Sequence, residues 1–190
     1  YKDGLKIYTT LDMDAQNAAV AAMQNLPNYY TDKNGLSQPQ GAIVAMNPHN
    51  GYIVAMVGGR GDDAFNRATQ AERQPGSTMK PFVYLAAIQS GKTPGSIVDS
   101  PVTFGNWSPK NYENDYEGNI TYRYALQHSR NVAAVKVADE VGMTKVINLA
   151  KEMGISTLTD QDYNLSTALG GLTHGVTPLD MVQAYGVLAN

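Results

Sequence analysis

The chain has 190 residues, 43% of them hydrophobic and 16% charged, which is enough to bury one real core and excludes a disordered chain. A net charge of -3 and a pI near 5.5, with no basic stripe, exclude a nucleic-acid footprint. There is no cysteine, so disulfides, thiol catalysis and thiolate metal sites are excluded; with only three scattered histidines (His49, His128 and His174), no metal or cofactor is expected.

No stretch reads as a signal peptide or a membrane span. The first residues enter directly as an alternating pattern, so the chain is expected to be a piece of something longer. Residues 5–10 alternate apolar and polar and predict a strand. Asp12 or Asp14 caps a helix that runs to about Gln24. Residues 27–40 hold Pro, Asn, Asp, Gly and Ser in a polar loop. Two apolar runs, 42–46 and 52–57, flank Asn47-Pro48-His49-Asn50-Gly51, which predicts a β-hairpin apolar enough to be buried on both faces. A polar connection, 60–72, then leads to a mostly apolar helical pattern over 81–90, closed by Gly91. Residues 92–119 read as a long irregular segment, and a loop of that length borders a site. Its aromatic residues, Trp107, Tyr112 and Tyr116, are expected to pack the loop. Helical patterns follow at 121–127, 131–141, 144–153 and 179–188, with Gly142 and Gly154 as stops. This order predicts an α/β chain of the α+β type: an antiparallel sheet flanked by helices, with three strands in this chain.

Ser77 and Lys80 stand one helical turn apart, just after the Pro75-Gly76 turn, so their side chains can meet at a helix start. Pro81 lacks the N–H that would bond the Ser77 carbonyl, and it biases Lys80 away from helical angles. A local conflict of this kind is expected where function overrides propensity. A serine hydroxyl is a weak nucleophile unless a base takes its proton, and a neutral lysine can do so if its pKa is depressed. A capping serine and a solvated lysine would explain the same residues. His128-Ser129-Arg130-Asn131 lies between two helical patterns. There Ser129 and Asn131 can aim a hydroxyl and an amide at one place, or Asn131 can simply cap the next helix. His128, Arg130 and His174 are expected at surface or packing positions.

Together, Ser77-Thr78-Met79-Lys80 and Ser129-Arg130-Asn131 are far more specific than either alone. With Phe65-Asn66-Arg67-Ala68-Thr69-Gln70-Ala71, Arg73-Gln74-Pro75-Gly76 and Lys80-Pro81-Phe82, they resemble the transpeptidase domain of class A (bifunctional) penicillin-binding proteins. Gly41-Ala42-Ile43-Val44-Ala45-Met46-Asn47-Pro48, Val57-Gly58-Gly59-Arg60 and Tyr8-Thr9-Thr10-Leu11-Asp12 extend the likeness over essentially the whole chain. The family's third element, Lys-Thr/Ser-Gly, is absent, since Lys92-Thr93-Pro94 is misplaced and lacks the glycine. The resemblance therefore implies a β-lactamase/transpeptidase-like fold that is incomplete in this chain. Residues 1–190 would be the first two-thirds of the domain: 1–40 an initial strand, helix and loop, and 41–190 the catalytic core.

What the resemblance implies about function is a D,D-transpeptidase that cross-links peptidoglycan stem peptides. Ser77 would be the nucleophile, Lys80 its base, Ser129 a proton relay and Asn131 a substrate-binding residue, with β-lactams acylating Ser77. The alternatives are a D,D-carboxypeptidase or serine β-lactamase, and an inactive binding or scaffold fragment. No Glu-x-x-Leu-Asn follows Ser129, which lowers the β-lactamase option. The expected setting is the extracytoplasmic face of a bacterial membrane, with an anchor outside this chain. Residues 1–190 alone are expected to be inactive: either a second polypeptide segment completes the domain at the hairpin edge, or the chain was cut after folding.

Overall fold

Asp12 opens the first helix. Its carboxylate accepts the N–H groups of Asp14 and Ala15, and α1 (Met13–Gln24) follows in an alanine-rich run of good helix formers. In this computed structural model, which describes residues 4–190, the segment before it is not the expected strand: residues 4–12 are irregular. They still lie along a strand, because the Thr10 hydroxyl donates to the Ile53 carbonyl at 2.6 Å and Asp12 N–H to that of Val54 at 2.9 Å. The polar loop that follows carries a miniature ladder, β1 (Tyr30–Thr31) against β2 (Ser37–Gln38).

The hairpin forms where the apolar runs place it, as β3 (Ile43–Asn47) and β4 (Tyr52–Val57), antiparallel, with a bulge between Ala45 and Met46. It is not buried on both faces. Only Ala55 is buried, and the remaining positions are half-exposed or exposed. α1 packs against β4, and the Gln16 side-chain amide completes that contact by pairing with both main-chain groups of Met56 (2.8 and 3.0 Å), as a neighbouring strand would. The connection after the hairpin holds a single short turn, α2 (Arg67–Gln70).

From Arg73 to Val176 the chain forms a compact unit of its own. A 3-10 turn, Gly76–Met79, runs directly into α3 (Lys80–Gln89). The segment expected to be irregular contains β5 (Ser96–Asp99), which pairs antiparallel with β6 (Gly118–Thr121). Helices α4 (Tyr122–Gln127), α5 (Asn131–Val141) and α6 (Met143–Glu152) follow within about a residue of their predicted spans. Val132, Ala133, Ala134, Val135, Val137 and Ala138 of α5 are all fully buried, so this helix is the axis of the unit. The small side chains Ala86 and Ala87 on α3, with Ala133 and Ala134 on α5, let two packed helices approach closely. On α6 the buried residues Met143, Val146, Ile147 and Ala150 recur at helical spacing and face the same core. Two further 3-10 turns, Asp160–Asp162 and Leu165–Leu169, bring the chain back to Arg73, where Arg73 and Val176 exchange both main-chain hydrogen bonds at 2.9 Å.

A second unit comprises the residues up to Glu72 together with Thr177–Asn190. Its last helix, α7 (Pro178–Ala189), starts in a capping box between Thr177 and Asp180 and packs on β3. Gly186 has no side chain where the Met46 sulfur comes in. The described residues thus hold six strands in three two-stranded ladders, rather than the three strands expected, with helices packed around them.

Candidate active site

The turn that carries Ser77 resolves the conflict posed by Pro81. In a 3-10 turn the bond runs between residues three apart, and the Ser77 carbonyl accepts the N–H of Lys80. The N–H that Pro81 lacks is therefore not missed, and Lys80 adopts helical angles (φ -59°, ψ -39°). The turn is also held from behind. The Gln74 side-chain amide makes a pair of 2.7 Å bonds with the main chain of Leu172, and Gly170 lies directly against Gly76.

α3 and α5 begin at the same end of their packed pair, which brings Lys80 to the Ser129–Asn131 turn. The Lys80 amine lies 3.0 Å from Ser77 Oγ, 2.9 Å from Ser129 Oγ, 2.6 Å from the Ser129 carbonyl and 2.6 Å from Asn131 Oδ1. Ser129 Oγ is 2.9 Å from Ser77 Oγ, closing a triangle of two hydroxyls and an amine. The amide of Asn131 is oriented by its other end, which donates to the Lys110 carbonyl at 3.0 Å. All four sequence-predicted residues are thus brought together.

Lys80 is 1% exposed, whereas Ser77 and Ser129 reach the surface. None of its hydrogen-bond partners is a carboxylate, so nothing among them offsets the loss of hydration. Burial pushes the amine down from 10.5 to about 8. The geometry also accommodates the neutral form. The Ser129 carbonyl and Asn131 Oδ1 only accept, and they take up the two N–H bonds of a neutral amine. The lone pair is left for the two hydroxyls, so the arrangement can take a proton from either.

Sequence reading missed what holds this turn. Asn131 is not a helix cap; it is the first residue of α5, and the N–H groups of Asn131 and Val132 are capped by Asn111 Oδ1 at 2.8 and 3.1 Å. Of the surface or packing positions expected for Arg130, the structure gives the packed one. It is buried and ion-paired with Asp99, itself 0% exposed, and with Asp115 and Glu117. The available signal was the ionic content of the long 92–119 segment, next to an arginine lying between two site residues. Tyr112 does not pack its loop: it is 98% exposed, at the mouth of a cavity of about 280 Å³ beside Ser129. His128 stacks on Tyr124 at the surface, and His174 is exposed. Among the described residues no cluster of His, Cys, Asp and Glu is arranged to hold a metal ion.

Residues 41–190 match the family described as penicillin binding protein transpeptidase domain. Penicillin-binding protein 4 of Bacillus subtilis (strain 168) is 38% identical over 194 residues, covering 100% of this chain and 30% of the relative. Penicillin-binding protein 1A of Aquifex aeolicus (strain VF5) is 43% identical over 160 residues, covering 80% of this chain and 21% of the relative. The chain therefore spans less than a third of the length of these curated relatives. Among solved structures, PonA1 of Mycobacterium tuberculosis in complex with penicillin V superposes with a TM-score of 0.80 at 28% identity, covering 98% of this chain and 51% of that one. Penicillin-binding protein 1A of Haemophilus influenzae superposes with a TM-score of 0.72 at 34% identity, covering 85% and 26%.

Proposed function

The chain belongs to the penicillin-binding protein transpeptidase family, with the family's transpeptidase/β-lactamase fold, and from that premise we propose that it is the serine acyltransferase part of a peptidoglycan D,D-transpeptidase. The observation that carries the reading is the buried amine of Lys80, 3.0 Å from the exposed hydroxyl of Ser77, with only neutral partners.

In this reading Lys80 takes the proton of Ser77 as its Oγ attacks the carbonyl carbon of the D-Ala-D-Ala bond in a stem peptide. The peptide C–N bond breaks as the tetrahedral intermediate collapses. The proton passes from Lys80 through the Ser129 hydroxyl, 2.9 Å away, to the leaving amine. An ester to Ser77 remains. The amine of a second stem peptide then attacks it, and the serine regains its proton by the reverse path. Asn131 divides its amide between Lys80 and the Lys110 carbonyl and fixes the rim where the substrate backbone lies. A β-lactam presents the same carbonyl in a ring, so its leaving group stays attached and the ester persists. Peptidoglycan places the site at the extracytoplasmic face of the membrane; among the described residues no helix is long and apolar enough to cross one.

The test is intact-mass spectrometry of the full-length protein after exposure to a penicillin. One adduct is expected, mapping to Ser77 and absent in Ser77→Ala. An adduct on any other residue would sink the assignment.

A further inference from the structure

Ser129 and Asn131 both bond Lys80. The residue between them bonds neither Lys80 nor Ser77, yet it is among the most heavily bonded in the structure. The Arg130 guanidinium donates to Asp99 Oδ2 at 2.7 and 2.9 Å, to Asp115 Oδ2 at 3.0 Å, to the Asp115 carbonyl at 2.9 Å, and lies 3.2 Å from Glu117 Oε1. Asp99 also accepts from Asn111 Nδ2 at 2.8 Å and from the Glu117 N–H at 3.2 Å. Asn111 in turn caps the first two N–H groups of α5. One ionic cluster, buried at Arg130 and Asp99 and exposed at Asp115 and Glu117, thus grips the main chain on the C-terminal side of Ser129.

Ser129 needs such a grip. Its φ is +52°, in the left-handed region that a side chain with a Cβ seldom adopts. A residue persists there only when its surroundings over-determine it. In that conformation its carbonyl and its hydroxyl both point at the same amine.

We propose that Arg130, acting through Asp99 and Asn111, is a positioning residue that locks the Ser129–Asn131 turn in its left-handed form, so that Ser129 and Asn131 together enclose the Lys80 amine. The inference rests on the reading of Ser77 and Lys80 given above. The action is geometric. Three carboxylates surround the guanidinium and more than neutralise its charge. The planar fork is what the site uses, because its separate N–H bonds reach the Asp99 and Asp115 side chains and a main-chain carbonyl at once. A lysine keeps the charge and loses the fork. Without the fork, the turn relaxes toward ordinary angles, the two acceptors leave the amine, and water reaches Lys80.

The experiment uses the full-length protein, Arg130→Lys and Arg130→Met. Stopped-flow labelling with a fluorescent penicillin across pH separates non-covalent affinity from the acylation rate constant, at a temperature well below each variant's Tm. Arg130→Lys is expected to acylate about tenfold or more slowly at saturating penicillin, since small misplacements of a reacting group carry losses of that order. The acid limb of its rate profile is expected to move to higher pH as Lys80 becomes hydrated. General loosening of the fold would lower Tm and the fraction of labelled molecules but leave that midpoint in place. A folded Arg130→Lys protein with the wild-type rate constant and midpoint overturns the inference, whether or not Arg130→Met folds. If wild type is labelled elsewhere than at Ser77, the functional reading fails and the inference with it. If Ser77 is labelled and Arg130→Lys is unaffected, only the inference fails.

Discussion

Lys80 is an amine placed where an ammonium is badly hydrated. Its depressed pKa of about 8 decides how the reaction should respond to pH. In the proposed reaction the neutral amine is the base, so activity should be lost as pH falls through that value and be fully present above it. At pH 7 about a tenth of the molecules carry the neutral amine, and the acylation rate should fall roughly tenfold for each further unit of acid. Measuring penicillin acylation from pH 6 to 9 checks this; a flat profile would remove Lys80 as the base. Lys80→Arg should abolish acylation throughout that range, because arginine does not deprotonate in proteins. The pairing of Ser77 with Lys80 is legible in the sequence, because one helical turn separates them. The lowered pKa is not, because it depends on residues of another helix closing over the amine.

At the scale of elements, the site depends on a join between two kinds of helix and on the loop behind it. Gly170 has φ +78°, and a Cβ there would fall within van der Waals contact of the Gly76 nitrogen, α-carbon and carbonyl oxygen. Gly170→Ala therefore meets rigid backbone rather than a movable side chain. It should destabilise the fold by about 2 kcal/mol or more and shift the Ser77 turn. Urea unfolding followed by circular dichroism, with penicillin labelling of the folded fraction, checks both effects; unchanged stability and labelling would show that the loop gives way freely. The helices were readable to within a residue or so because their caps and stops are local, as at Asp12, Gly142 and Gly154. The strands were harder. Residues 5–10 carry an alternating pattern, yet Thr10 and Asp12 meet β4 through isolated bonds rather than a ladder. β5 was hidden for the opposite reason. It ends in Asp99, a charge that reads as loop until Arg130, distant in sequence, is known to neutralise it. Periodicity reports which side chains are apolar and is silent about charges buried in pairs.

At the scale of the whole molecule, the strands among the described residues pair in three separate two-stranded ladders, none of which is a sheet wide enough to be stable by itself. The outer edge of β4 is covered by Thr10, Asp12 and Gln16, whereas β3 has a partner strand on one side only among the described residues. An apolar strand with an open edge is a template for one more strand. The 190-residue chain, prepared alone, should therefore self-associate in a concentration-dependent way at micromolar levels. Sedimentation velocity checks this, and a clean monomer that also takes up penicillin would count against the edge as a pairing surface. The pair of bonds between Gln74 and Leu172 spans 98 residues of sequence, and the Arg73–Val176 pair closes the same loop. Contacts of that range form late, because the entropy of closing the loop is lost before they contribute anything. During synthesis the chain emerges from its amino end, so the Ser77 turn has no backing until Val176 has left the ribosome. A nascent chain stopped short of Leu172 would already carry Ser77, Lys80, Ser129 and Asn131, and would still be blind to penicillin.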